Sequence, residues 1–203
     1  MYVIGITGGV GSGKSYAAHR LQEKLGATLL IADELGHVVM EPRRSAYCQI
    51  VEHFGQNIVS SDGSIDRAAL AEIVFSDARA RDWLNQVIHP AVIEYIRDTI
   101  RQNRTRSGIL LIETALMYET GCDSLCDEVW LVYVPEEERI RRLASDRGYS
   151  EQKSKAIIQS QISETLLREK VQCIVPNDGT KEDLERALDA LLTTLDTTAL
   201  GKG

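Results

Sequence analysis

The amino-acid sequence predicts an α/β fold in which a five-stranded parallel sheet lies between two layers of helices. Short runs rich in β-branched residues recur along the chain, and helical patterns separate most of them. The first run, residues 2–7, is bounded by glycine and lacks the polar alternation of a half-exposed strand. The other runs are 27–31, 108–112, 129–134 and 172–175. This order is typical of sheets that bind ligands at the carboxyl ends of their strands.

The composition predicts one compact domain with insertions. The 203 residues are 43% hydrophobic and 26% charged, which suffices for one core but not for two ordinary domains. The formal net charge of −7 gives no general reason to bind nucleic acid. No apolar stretch reaches the length of about 18 residues that a membrane span needs. We therefore expect a cytoplasmic protein that binds neither nucleic acid nor membrane, and we favour a monomer.

Two segments interrupt the alternation of strands and helices. Residues 34–107 show helix after helix, with His89-Pro90 as one of several breaks, which predicts an inserted helical subdomain. Residues 136–169 are polar and rich in arginine, and we interpret them as a mobile helical lid. The sheet-forming core then comprises about 1–33, 108–135 and 170–203, all within a single domain.

A glycine-rich loop lies between the first predicted strand and a helical pattern. It fits G-x-x-x-x-G-K-[ST] and ends in Lys14 and Ser15. In this context backbone N–H groups converge on phosphate oxygens, Lys14 reaches the outer phosphates and the Ser15 hydroxyl can coordinate Mg²⁺. A turn without a ligand is the alternative, and the complete spacing argues against it. The predicted nucleotide-binding residues are Gly8, Gly9, Val10, Gly11, Ser12, Gly13, Lys14, Ser15 and Tyr16.

The loop predicts a P-loop NTPase-type three-layer fold and a protein that uses ATP with Mg²⁺. A carboxylate that follows the second predicted strand indicates the kind of reaction. Transfer to an alcohol needs an aligned acceptor oxygen, a carboxylate to orient or deprotonate it, and cations around the transferred group. Asp33 ends the second strand, where a carboxylate would face the loop. The same side chain can cap a helix that begins at Glu34, and the two roles are compatible.

Further segments carry a resemblance that the loop alone does not. They are residues 32–37, 63–67, 74–77, 84–90, 116–121, 132–135 and 177–179, together with Arg142-Leu143 and Arg147. In this order they resemble the dephospho-CoA kinase family over nearly the whole chain. The resemblance implies ATP-dependent phosphorylation of the ribose 3′-hydroxyl of dephospho-CoA, the last step of coenzyme A synthesis. It implies that Asp33 acts on that hydroxyl, that Lys14 neutralises charge, and that the helical insertion binds dephospho-CoA.

The resemblance also implies an arginine-bearing lid. Arg139, Arg142 and Arg147 are the candidates, since a guanidinium can span two phosphate oxygens. We favour Arg142 and Arg147 as catalytic cations. Pairing with the glutamates at 136–138 on the surface is the alternative for each.

Other residues follow from the same resemblance. His37, His89 and Glu119 are expected to contact the substrate, with the metal as the alternative for Glu119. A structural role explains His37 equally simply, and for His89 we favour the geometry of a helix bounded by proline, which needs no ligand contact. Asn177 and Gly179 lie where related kinases surround the adenine of ATP. Turn formation alone also accounts for them.

Several positions depart from the family pattern. Ile31 replaces an aspartate, Ala115 a proline, Ile157 an arginine and Gln172 an aspartate, while Tyr16 replaces a second hydroxyl residue of many such loops. These departures predict a slower or differently tuned enzyme. They also keep two alternatives open, another P-loop nucleoside or nucleotide kinase and a catalytically inactive ATP-binding regulator.

Overall fold

The computed structural model describes residues 1–105 and 107–195. The strands are β1 (Tyr2–Thr7), β2 (Thr28–Ile31), β3 (Ile109–Glu113), β4 (Glu128–Tyr133) and β5 (Cys173–Pro176). The α-helices are α1 (Lys14–Leu25), α2 (Ala32–Val39), α3 (Ser45–Phe54), α4 (Arg67–Ser76), α5 (Ala78–Asn103), α6 (Glu136–Arg147), α7 (Glu151–Gln159), α8 (Glu164–Lys170) and α9 (Lys181–Thr194). Two short 3-10 helices, Gln56–Ile58 and Cys122–Leu125, complete the order.

The five strands form one parallel sheet in the order β2-β3-β1-β4-β5. The predicted parallel sheet is therefore confirmed, and every strand boundary lies within one residue of the expected one. Strand β1 lies at the centre, with Ile6 opposite Glu113 of β3 and Trp130 of β4. Because all strands run in one direction, their carboxyl ends meet at the same edge. The glycine loop follows the central strand β1 and therefore begins at the middle of that edge.

One face of the sheet packs against α1 and α9. The strands contribute Ile4, Ile6 and Trp130, and each of these is at most 1% exposed. Helix α1 presents Leu21, and α9 presents Leu188, both fully buried against the same cluster. Each buried aliphatic side chain contributes about 1.5–3 kcal/mol of transfer free energy. This packing fixes the direction in which α1 leaves the loop.

The chain forms two compact units. One comprises Met1–Ile31 and the chain from Asn103 onward, and it contains the sheet. The other, Ala32–Gln102, contains α2 to α4, most of α5 and an isolated antiparallel bridge between Val59 and Ile65.

The predicted break at His89-Pro90 is wrong, because α5 runs through Pro90 without ending. A proline inside a helix removes one backbone hydrogen bond and crowds the preceding turn. Here Leu84 before it and Val92 and Ile96 after it are all buried, so packing on both sides holds the helix together. Within the described residues, no helix combines the length and the apolar character that crossing a membrane requires.

Candidate active site

The glycine loop places a helix N-terminus at the carboxyl edge of the sheet. Gly13 directly precedes α1 with φ 77°, a left-handed conformation that glycine adopts without strain. A Cβ atom at this position would lie 2.6 Å from Nδ2 of Asn177, so only glycine fits. Glycine also has no side chain with which to cap the helix. The first N–H groups of α1 are therefore left for a ligand, and the helix dipole favours an anion.

A buried carboxylate joins the two functional side chains of the loop. Glu113 ends β3 and is 3% exposed. Its Oε2 accepts a hydrogen bond from the Ser15 hydroxyl at 3.2 Å, and its Oε1 lies 3.6 Å from Nζ of Lys14. The sequence prediction did not include Glu113 in the site. An acidic residue at the end of an otherwise apolar strand was the signal that could have found it.

Ser15 and Glu113 together fit Mg²⁺. Both offer oxygen ligands, which this ion prefers, and Mg²⁺ is usually held by one or two protein groups together with water and substrate phosphates. Among the described residues, no group of three or more His, Cys, Asp and Glu side chains could hold a metal.

Arg139 of α6 packs directly on the loop. It is 8% exposed, and a Cβ atom at Gly9 would collide with its guanidinium group. Its Nε atom is buried and makes no hydrogen bond within the described residues. Burial lowers the pKa of the guanidinium, although arginine stays charged in proteins. A buried cation beside a phosphate-binding loop is arranged to receive an anion.

Arg142 and Asn177 meet on the other side of the loop. Nη2 of Arg142 donates to the backbone carbonyl of Asn177 at 2.8 Å, and its Nε lies 3.1 Å from Oε1 of Glu138. Nδ2 of Asn177 donates to the carbonyl of Ser12 at 2.7 Å. The structure thus brings two predicted residues together at the loop. Arg147 lies exposed in the last turn of α6 and makes no hydrogen bond or ion pair with the loop in the described part of the chain.

The connection between α7 and α8 also contacts the loop. Oε1 of Gln161 accepts a hydrogen bond from the N–H of Val10 at 3.0 Å. The next residue, Ile162, donates its N–H to Oε1 of Glu119 at 3.4 Å. Glu119, which was predicted to contact substrate, therefore binds the backbone of this connection. Gln161 was not predicted, because no local pattern marks a residue whose partner is 151 positions away in the chain.

The remaining nucleotide candidates surround the start of α1 and of α9. Tyr16 is exposed, and Nζ of Lys181 lies 5.5 Å from its ring centre. Gly179 lies in the turn after β5, against the side chain of Asp183. Asp183 in turn completes a capping box with Thr180 at the start of α9. This cap fixes the turn that carries Asn177 and Gly179.

The second unit carries Asp33, His37 and His89. Strand β2 ends at Ile31 and helix α2 begins at Ala32, so the expectation that Asp33 ends the strand is wrong. Asp33 lies inside the first turn of α2, and it therefore does not cap a helix that starts at Glu34. Asp33 and His37 are both exposed and, four positions apart, lie on the same face of α2. His89 is half-buried in α5, and burial lowers its pKa below the ordinary value.

The chain is similar to known proteins over almost its whole length. A sequence model of the dephospho-CoA kinase family matches residues 2–183. A dephospho-CoA kinase from Carboxydothermus hydrogenoformans is 38% identical, with 95% of this chain and 92% of that protein covered. A second, from Geobacter sulfurreducens, is 37% identical over 94% of this chain and 97% of its own length.

A solved structure is also similar to this chain over almost its whole length. The crystal structure of TT1252 from Thermus thermophilus has a TM-score of 0.72 at 32% identity and covers 96% of this chain and 97% of its own. The fold of this chain thus occurs in a solved structure that is similar to it over almost its whole length. On the family match and the curated relatives together, this chain belongs to the dephospho-CoA kinase family.

Proposed function

We propose that this chain transfers the γ-phosphoryl group of ATP to the ribose 3′-hydroxyl of dephospho-CoA, producing coenzyme A and ADP. Membership of the family supports the acceptor. The observation that carries the proposal is the cluster of Lys14, Ser15 and the buried Glu113 at the start of α1. Phosphoryl transfer needs charged and hydroxyl groups of this kind around the transferred group, whereas the binding of an apolar ligand does not.

The triphosphate binds along the glycine loop. The uncapped N–H groups at the start of α1 donate to its oxygens, and Lys14 exchanges part of its contact with Glu113 for the outer phosphates. Ser15 and Glu113 would hold Mg²⁺, which neutralises negative charge on the phosphate oxygens when bound. Asn177 and Gly179 lie in the turn that we assign to the adenine of ATP. Tyr16 directly follows the loop, next to the position that we assign to the innermost phosphate.

Positive charge around the transferred group comes from α6. Arg139 is buried against Gly9 and its Nε has no partner among the described atoms, which supports a direct role. Arg142 is bound to the carbonyl of Asn177 and so links the loop to the adenine turn. We keep Arg147 as a third cation that reaches the phosphates when the lid segment closes. The transition state of such transfers is loose, so charge stabilisation supplies most of the catalysis.

The acceptor is oriented by the second unit. Asp33 accepts a hydrogen bond from the 3′-hydroxyl, aligns the oxygen with the γ-phosphorus and takes its proton as the bond forms. His37, one turn further along α2, and His89 of α5 contact the acceptor. Glu119 supports the acceptor site through the backbone of Ile162.

The proposal is tested by an ADP-release assay with Mg-ATP and dephospho-CoA, in which the mass of the product is checked for one added phosphate. Coenzyme A as the product supports it, and adenosine and AMP serve as control acceptors. Turnover of a control acceptor with none of dephospho-CoA would identify a different kinase. ATP binding without any transfer would identify an inactive regulator.

We further propose that the protein is a monomer and acts in the cytoplasm. A net charge of −7 on 203 residues favours a dispersed protein, because like-charged molecules repel one another. Size-exclusion chromatography with light scattering measures the mass in solution. A mass of two or three chains would contradict the monomer.

A further inference from the structure

Gln161 contacts the glycine loop in a way that none of the assignments above uses. Its Oε1 accepts a hydrogen bond from the backbone N–H of Val10 at 3.0 Å. Gln161 lies in the connection between α7 and α8, and 151 positions separate it from Val10 along the chain. The tertiary structure therefore places a side chain of the segment that we interpret as a lid directly on the loop that binds phosphate.

This contact determines the orientation of the side-chain amide. A backbone N–H can only donate, so the atom that faces Val10 is the carbonyl oxygen of Gln161. The amide nitrogen is bonded to the same carbon and carries two further N–H donors. Within the described residues, Nε2 of Gln161 donates to no protein atom. The half-buried amide thus has its oxygen bound to the loop and both of its donors available for a ligand.

Gln161 and Arg139 lie over the same residue of the loop. A Cβ atom at Gly9 would lie 3.4 Å from Oε1 of Gln161 and would collide with the guanidinium group of Arg139. Both side chains also line the cavity of about 260 Å³ that adjoins Gly8 and Gly9. Arg139 is the cation that we propose beside the transferred group. The amide of Gln161 therefore adjoins the same position and offers neutral donors where Arg139 offers charge.

The place of Val10 in the loop separates this contact from the inner phosphates. Loops of this kind bind the inner phosphates through N–H groups near the helix, and the lysine reaches the outer ones. Val10 precedes Lys14, the first residue of α1, by four positions. Its bond to Gln161 consequently leaves the N–H groups at the start of α1 available to the triphosphate. The contact lies at the end of the loop that we assign to the outermost phosphate.

The backbone on both sides of the Gln161 side chain is held in place. The N–H of Gln161 donates to the carbonyl of Ile158 at 3.2 Å, and the N–H of Ile162 donates to Oε1 of Glu119 at 3.4 Å. Ile158 in α7 is 8% exposed and Leu167 in α8 is 6% exposed, so packing holds both flanking helices. A donor that is oriented before the reaction stabilises developing charge without reorganisation of the protein.

We infer that Gln161 is a catalytic residue of phosphoryl transfer, whose Nε2 donates a hydrogen bond to an oxygen of the γ-phosphoryl group while Val10 holds its Oε1. Negative charge on these oxygens must be stabilised as the group passes from ATP to the acceptor. Gln161 gains and loses no proton in this step, and it forms no covalent bond. The inference rests on the proposed function, since it assumes that a phosphoryl group is transferred beside Gly9.

Two substitutions separate the donor from the contact with Val10. Gln161→Ala removes both, whereas Gln161→Glu keeps an oxygen for the Val10 N–H but replaces the donors with a negative charge. We expect kcat to fall about 10²-fold or more in the alanine variant, and at least as far in the glutamate variant at a pH where its carboxylate is ionised. The KM values for ATP and dephospho-CoA should stay within about threefold, because the hydrogen bond strengthens in the transition state.

Gln152→Glu is the matched control, since Gln152 is exposed in the first turn of α7 and the substitution adds the same charge to the same segment. Its kcat should equal that of the unaltered protein. Because Gln161→Glu retains the contact with Val10, it tests the inference even if Gln161→Ala does not fold.

Two other roles of Gln161 predict different results. If the bond to Val10 only held the segment in place, Gln161→Glu would keep the kcat of the unaltered protein, and the inference would be overturned. If Gln161 competed with ATP for the loop, calorimetry would show a lower Kd for ATP in Gln161→Ala, which would also overturn it. Absence of any phosphorylation of dephospho-CoA by the unaltered protein would instead overturn the proposed function. Phosphorylation with equal kcat in the unaltered protein and in Gln161→Glu would overturn the role of Gln161 alone.

Discussion

The hydroxyl of Ser15 donates a hydrogen bond to the carboxylate of Glu113 at 3.2 Å, which links the glycine loop to the end of the neighbouring strand. The link exists because β3 pairs with β1 in a register that places Glu113 opposite Ile6, two residues before Gly8 of the loop. Lys14 lies 3.6 Å from the same carboxylate. The charge of Lys14 and the hydroxyl of Ser15 are therefore oriented before any nucleotide arrives.

Glu113→Gln is expected to weaken the binding of Mg²⁺ in the reaction without removing the fold. The amide keeps the shape of the side chain but loses the charge that supports Lys14 and Mg²⁺. We expect the Mg²⁺ concentration at half-maximal rate to rise about 10- to 100-fold. Glu185→Gln is the control, because Glu185 pairs with Arg20 and Lys24 between α1 and α9. An unchanged Mg²⁺ titration would exclude Glu113 from the metal site.

Asp33→Asn tests the carboxylate that we assign to the acceptor hydroxyl. Loss of the negative charge should lower kcat about 10²- to 10⁴-fold, since proton transfer and alignment both depend on it. The Kd for dephospho-CoA, measured by calorimetry, should change little. Glu34→Gln provides a neighbouring control in the same turn of α2. A kcat equal to that of the unaltered protein would remove Asp33 from the catalytic residues.

Arg139→Ala should reduce kcat about 10²- to 10³-fold, because the buried guanidinium packs on Gly9, where we propose that the transferred group is held. Arg139→Lys should restore little of this loss, since an ammonium cannot span two phosphate oxygens. Arg141→Ala is the matched control on α6, where Arg141 is exposed and pairs with Glu138. Equal rates for the Arg139 and Arg141 variants would show that the burial of Arg139 is structural. Single-turnover rates separate an effect on transfer from one on product release.

The half-buried His89 predicts a dependence of stability on pH. Burial lowers its pKa in the folded protein, so the unfolded chain binds more protons as the pH falls through about 6.5. The stabilising effect of the neutral imidazole is present above that pH and is lost below it. The free energy of unfolding from urea titrations should therefore fall between pH 7 and pH 5. His89→Gln should show a smaller fall, and an identical pH profile would contradict this assignment.

The sequence by itself determined the parallel sheet and the loop. Runs of β-branched residues such as 2–7 have few alternatives to a buried strand, and the spacing from Gly8 to Ser15 is specified by the need to surround a phosphate with backbone N–H groups. Both signals are local, since they depend on residues within one element and its immediate neighbours. The family resemblance also depends on short local segments, and it therefore identified candidate site residues segment by segment along the chain.

Only the tertiary structure decided which side chains meet at the loop. Glu113 and Gln161 are 98 and 151 positions from the loop residues they bind. The acidic end of an apolar strand marks Glu113 as a candidate, but no pattern within an element records which residues the two side chains contact. The sequence favoured Arg142 and Arg147 among the arginines of α6, whereas Arg139 is the one that is buried against Gly9. The continuity of α5 through Pro90 has the same origin. In each case the deciding term is packing between elements, which outweighs local preference because it buries area and charge that a single segment cannot bury alone.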